Sequence, residues 1–189
     1  MNRRDVTAFI VVIASFATRV DWAKAAGAEQ PVAPEVNPPG DIPDNQVFIT
    51  YKSPAGFSVK VPEGWARKDA PNETAFSDKY DQITLTVSDL TGNLDLDFAK
   101  QTLVPEIEKG RAVKIMSVSE VKLRGGMAIR VTYHDNSEPN PVTNKQIRME
   151  GERYYFAQSG RLVGLDLAAP MGADNVDQWK LISSSFKWK

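Results

Sequence analysis

His134, Asp135 and Glu138 are the side chains whose types and spacing most resemble a chemical site, since an imidazole beside carboxylates can bind a divalent cation or pass a proton. A zinc-type site needs three or four convergent ligands, however, and His134 is the single histidine of a chain with no cysteine. The stretch His134–Lys145 (HDNSEPNPVTNK), polar and with two prolines, therefore reads as a surface loop. Asp89, Asp95 and Asp97 lack the glycine and terminal glutamate of a calcium loop; Asp95 and Asp97 suit the first turn of a helix, where the dipole favours negative charge. A serine hydrolase would need a nucleophile elbow, and no GxSxG occurs. No GxxxxGK[ST] phosphate loop is present, and spacing singles out no carboxylate pair for glycoside hydrolysis. The expectation is a non-enzyme, with no catalytic, cofactor-binding or metal-ligating residue and no cofactor assigned.

Composition points the same way. The chain has 189 residues, 42% apolar and 25% charged, with 23 basic against 24 acidic side chains. Such a balance builds no field that would gather phosphates, so nucleic acid is not an expected partner. Without cysteine, neither a disulfide scaffold nor a thiol enzyme can be made.

The ends carry more information. Met1–Asp5 is a short basic start, followed by the almost wholly apolar run Val6–Ala17. A stable membrane span needs about 20 apolar residues, so the run matches the core of a secretory signal. Small residues suited to signal cleavage occur as Ala23-Lys24-Ala25 and Ala26-Gly27-Ala28, which places cleavage after Ala25 or after Ala28. Arg3-Arg4 also permits twin-arginine export. Residues 1–28 are thus read as a signal peptide, and the product as a periplasmic protein with no stable membrane anchor after cleavage. Removing them takes four basic residues (Arg3, Arg4, Arg19, Lys24) and two acidic ones (Asp5, Asp21), so the mature chain is mildly acidic. Residues 29–46, with prolines at 31, 34, 38, 39 and 43, read as an extended linker, leaving residues 47–189 as one domain.

Within that domain, Val47–Tyr51 and Phe57–Val61 are strand-like, the second with Phe57, Val59 and Val61 alternating with polar neighbours before a turn at Pro62-Glu63-Gly64-Trp65. Tyr80–Val87 repeats the alternation through Ile83, Leu85 and Val87. Leu96, Ala99, Leu103 and Ile107 share one helical face, capped by Asn93 or Asp95, and Pro105 should split that helix near Leu103. Met116–Arg124 and Met127–Tyr133 flank Gly125-Gly126, read as a two-residue hairpin turn. Gln146–Gln158 and Arg161–Ala168 flank a second turn at Ser159-Gly160. Asp174 or Asn175 caps a final helix whose stripe is Val176, Trp179, Ile182 and Phe186. Strands joined by hairpins with two helices give an α+β class: an antiparallel β-sheet flanked by helices. In Tyr154-Tyr155-Phe156, alternation sends Tyr155 to one face and its neighbours to the other; Trp65 and Trp179 read as packing residues and Trp188 as an exposed anchor.

Three stretches resemble the PsbP-like family. Tyr51–Trp65 is similar to its opening hairpin, GF followed by alternating apolar residues and P-x-x-W; Tyr155–Leu165 resembles its late hairpin; Trp179–Phe186 resembles its W-x-x-I-x-x-S-F ending. The resemblance implies an α/β/α sandwich, the fold of PsbP and Mog-type Ran-binding proteins, and a role in binding a protein partner, in envelope or membrane-complex assembly, without turnover. The missing lipidation cysteine points away from a photosystem role. The competing reading is a periplasmic small-molecule or lipid carrier, which would need a deep apolar pocket beneath the Leu96–Ile107 helix.

Overall fold

In the computed structural model, which describes residues 29–189, the chain runs β1 (Phe48–Lys52), β2 (Phe57–Pro62), β3 (Ala66–Ala70), β4 (Glu73–Ser77) and β5 (Gln82–Asp89). A broken helix follows: α1 (Leu96–Phe98), a π-helical stretch Ala99–Leu103, then α2 (Val104–Ile107). The second half is β6 (Lys114–Leu123), β7 (Gly126–Asn136), β8 (Arg148–Gln158), β9 (Arg161–Pro170), α3 (Val176–Ser185) and β10 (Lys187–Trp188). The segment read above as a signal peptide, 1–28, lies outside the described residues.

Two antiparallel sheets form, a large one ordered β3-β4-β5-β9-β8-β7-β6 and a small one ordered β1-β2-β10. The class is α+β, with the broken helix against one face of the large sheet and α3 with the small sheet against the other. The strand alternation explains why both faces are buried. Tyr154 and Phe156 enter the core beneath α3, whereas Tyr155 enters the core beneath the broken helix. Phe156 stacks on Phe186 at 3.8 Å, and Phe57 closes on Phe186 at 5.3 Å, so the residue after α3 joins the two sheets.

Local chemistry accounts for the broken helix. The Asp95 carboxylate accepts from the Phe98 backbone N–H at 2.8 Å, satisfying an orphan donor of the first turn. Pro105 has no N–H to donate to the preceding turn, and the backbone just before it widens so that the Val104 N–H reaches Ala99 O.

Several details depart from the sequence reading. The hairpin β3–β4 was not foreseen, because β3 (ARKDA) is exposed throughout and offers no apolar alternation. At the β6–β7 hairpin the loop is Arg124-Gly125, and only Gly126 has positive φ, at 118°. Gly125 is needed for space instead: a Cβ there would stand 2.6 Å from Phe186 Cδ1. Val176 leaves the predicted stripe, being 73% exposed, while Trp179, Ile182 and Phe186 are buried. Trp188 is no free anchor either. It pairs with Phe57 in the small sheet and packs edge-on against Phe186 at 5.4 Å.

Residues 29–46 contain no helix or strand, but they do not act as a free spacer. Ile42 is buried in the core. Its N–H donates to Asn175 Oδ1 at 2.7 Å, and the Asn175 amide donates to Gly40 O at 2.8 Å. Gln178 donates to Ile42 O at 3.0 Å. Farther back, Asn136 accepts from the Val32 N–H and donates to Glu29, which also pairs with Arg111 at 3.0 Å. The stretch is a strap: the backbone groups of Gln30, Val32, Gly40 and Ile42 bond to the side chains of Asn136, Asn175 and Gln178 on the sheet and at α3.

The strap closes over Asp81, which is 3% exposed and accepts from Asn175 Nδ2 at 3.3 Å. Burial, then the neighbouring Asp78 charge, pushes the Asp81 carboxyl up to about 7 despite the Asn175 hydrogen bond. A carboxyl raised on folding holds its proton better in the folded chain, so its contribution to stability is full below about pH 4 and fades as pH rises through about 7. Asp81→Asn keeps the acceptor for Asn175 and removes the charge. The variant should therefore be about 1–2 kcal/mol more stable than the parent at pH 8 and gain nothing at pH 4, as read by urea midpoints at the two pH values.

Candidate functional site

The strands β6, β7 and β8 extend past α3, and the helix covers them only partly. A cleft of about 560 Å³ opens between them. Its floor is polar, because the residues of β7 and β8 that face α3 here are Arg130, Glu152 and Tyr154. Arg130 grips Glu152 through both Nε, at 3.2 Å, and Nη2, and the Tyr154 hydroxyl donates to the same carboxylate. Arg130 also lies 6.0 Å from the Tyr154 ring centroid. Burial, and then that hydrogen bond to Glu152, pushes the Tyr154 hydroxyl up to about 12, so it stays a neutral donor at physiological pH. One wall is α3, with Val176, Trp179, Lys180 and Ser183; the other is the backbone and side chains of Val121–Leu123. Walls that mix apolar Val121, Leu123, Val176 and Trp179 with Lys122, Lys180 and Ser183, over a self-paired polar floor, suit a ligand that brings apolar groups and a few hydrogen bonds.

No family model matches the sequence, and no curated protein matches it. Among solved structures, the cyanobacterial PsbP (CyanoP) of Synechocystis sp. PCC 6803 aligns at a TM-score of 0.54, over 79% of this chain and 98% of that one, with 16% identity. The Ran-binding protein Mog1p of Saccharomyces cerevisiae aligns at 0.51, over 76% and 96%, with 10% identity. This chain has the PsbP/Mog1 fold. The α/β/α arrangement that its three motifs implied is thereby established at the level of architecture, and the motif residues prove to be the packing residues of that fold. Phe57, Phe156, Ile182 and Phe186 are all buried within one core.

The other face of this PsbP/Mog1 sheet carries a second polar group. The Tyr133 hydroxyl donates to both oxygens of Asp166, at 2.8 and 2.9 Å, and Arg153 Nη2 donates to Asp166 Oδ2 at 2.7 Å. Arg153 packs 5.7 Å from the Tyr133 ring centroid. Burial, and then the Asp166 charge, drives the Tyr133 hydroxyl far above its usual range. Nearby Asp135 is pushed up to about 6, first by burial and then by Asp166. Both Asp166 oxygens are taken up within the group, while Arg153 Nε is buried without a hydrogen-bond partner among the described residues, so this is a packed ion pair beside the broken helix. Sequence reasoning missed it because Tyr133, Arg153 and Asp166 lie on three strands and meet only through register: Tyr133 opposite Gly151, and Arg153 opposite Asp166.

The sequence-level candidates are not brought together. His134 and Asp135 lie in β7, not in a loop, and as consecutive strand residues they point to opposite faces. The strand continues to Asn136 because β6 and β8 pair with it on both sides, His134 facing Lys114 and Glu150. Burial lowers the pKa of His134 against the opposing pull of Glu150. Glu138 sits in the following loop, 3.6 Å from Arg111. Among the described residues no group of three or more His, Asp or Glu side chains could hold a metal ion. On the broken-helix face of the sheet, a space of about 220 Å³ is lined by Leu94, Glu120, Met127, Ala128 and Ile129 and by no residue of the helix itself. No helix among the described residues is long and apolar enough to cross a membrane.

Proposed function

We propose that this chain is a non-enzymatic, exported protein that binds a protein partner in the bacterial envelope. Residues 1–28 would be removed on export, 29–46 would lie as a strap on the domain, and 47–189 would present the binding surface. One observation carries the reading: the cleft between α3 and β6–β8 has exposed Val176 at its rim, Trp179 in its wall and a floor already hydrogen-bonded within itself. Such a floor can accept a partner without leaving the charges of Arg130 and Glu152 buried and unpaired. The shared fold with Mog1p, itself a Ran-binding protein, supports the same reading at the level of architecture.

A photo-crosslinking amino acid placed at Val176 or Lys180, with Lys68 on exposed β3 as the control, tests this in the native cell. The expected result is a protein adduct of defined mass from the α3 positions and none from β3, in the periplasmic fraction, on a chain whose mass begins at Ala26 or Glu29. Absence of any adduct, with a small molecule released on denaturation, would establish the carrier instead.

A further inference from the structure

The outer edge of the large sheet lies beside the cleft. β6 pairs with β7 alone, and none of its ten residues is buried. A strand of that length presents a row of unpaired backbone donors and acceptors about 33 Å long. A bulge interrupts the ladder between Ile115 and Ser117, after which the register is regular to Leu123. That regular part is the stretch whose far end, Val121–Leu123, forms a wall of the cleft opposite α3. Residues of β6 alternate between the two faces. Val121 and Leu123 lie on the α3 side with the core residues they touch, and Glu120 and Lys122 lie on the other.

We propose that β6 is a docking edge for an extended acidic peptide of the partner, added as an antiparallel or parallel strand beside Ser117–Leu123. Alternate apolar side chains of the peptide enter the cleft against Val121, Leu123, Val176 and Trp179, and the intervening acidic ones remain outside it. Strand addition takes its affinity from main-chain hydrogen bonds and its selectivity from pockets for alternate side chains, and this edge offers both. Charge decides the sign of the peptide. Lys122, Arg124 and Lys180 lie at the edge and the rim, and none makes an ion pair among the described residues, against two acidic side chains likewise without one, Glu120 on the strand and Glu150 in the cleft lining. A neighbouring acidic strand therefore gains Coulomb attraction that a basic one lacks.

The proposal rests on the partner-binding reading and adds the mode and the chemistry. It is tested on the full chain with a fluorescent (Val-Glu)4 peptide, a (Val-Lys)4 control, and two forms of (Val-Glu)4 N-methylated on either the valines or the glutamates. Because only one alternating set of peptide N–H groups faces the sheet, one methylated form should bind at least about tenfold more weakly than the parent peptide and the other like it. The double variant Lys122→Glu/Lys180→Glu, both exposed, should weaken (Val-Glu)4 by about tenfold, and (Val-Lys)4 should not bind the parent protein. Equal binding of the two methylated forms would overturn edge pairing and leave charge attraction alone. No binding of any peptide, or a concentration-dependent dimer whose contacts cover β6, would overturn the peptide as occupant. Crosslinking from Val176 to a partner would survive either result, so failure of the docking mode and failure of the partner-binding reading are distinguishable.

Discussion

Gly125→Ala should lower stability by about 3 kcal/mol, far more than an exposed hairpin position would suggest. The added methyl would stand 2.6 Å from Phe186 Cδ1 and 2.9 Å from the Phe186 carbonyl oxygen. Phe186 cannot step aside, because its ring is stacked at 3.8 Å on Phe156 and held at 5.3 Å by Phe57. Either the β6–β7 turn lifts away or the residue that joins the two sheets loses its seat. Gly126→Ala is the informative control. Its Cβ would meet nothing within 4 Å, but its φ of 118° is strained for any L side chain, so its cost is conformational, about 1–2 kcal/mol. Urea unfolding with unchanged slope reads both, and for a chain of this size each kcal/mol shifts Tm by about 2–4 °C. A Gly125→Ala protein as stable as the parent would mean that the hairpin does not rest on Phe186.

Arg153→Met should cost about 3–5 kcal/mol, since it leaves the Asp166 carboxylate, 16% exposed, with only the Tyr133 hydroxyl as a donor among the described residues. The loss is that of an uncompensated charge and not of a favourable pair. Arg153→Met combined with Asp166→Asn should therefore recover much of the stability, because the Asn carbonyl still accepts from Tyr133 and no lone charge remains. A double-mutant cycle distinguishes the cases: a double variant as unstable as the sum of the singles would show that Arg153 contributes through its packing against Tyr133 and not through its charge.

These two sites differ in how far the residues announce them. Gly125-Gly126 was visible as a hairpin from composition, and Ser159-Gly160 likewise; the latter takes positive φ at both positions, 52° and 72°. The alternation in Phe57–Val61, Ile83–Val87 and Tyr154–Phe156 made the strands legible, and the period of Leu96, Ala99, Leu103 and Ile107 made the broken helix legible, with Pro105 marking where it breaks. β3 was illegible because an exposed edge strand needs no apolar face. His134 and Asp135 looked like loop residues because their polarity is local, whereas their strand is imposed by hydrogen bonds from β6 and β8. The candidate cleft was half-visible: Trp179 and Val176 were assigned to α3, but nothing in their spacing says that α3 stops short of the sheet edge.

By itself the sequence determined the class, the main strands, the helix break and the absence of cysteine chemistry, because each depends on short-range periodicity, backbone covalency or simple composition. Only the tertiary structure decided that 29–46 is a strap held through Asn175 and Gln178, that Asp81 is a buried acid, that Gly125 yields its space to Phe186, and that an open edge borders a cleft. Those features join residues far apart along the chain, and their partners are chosen by sheet order and register, quantities that no local pattern encodes.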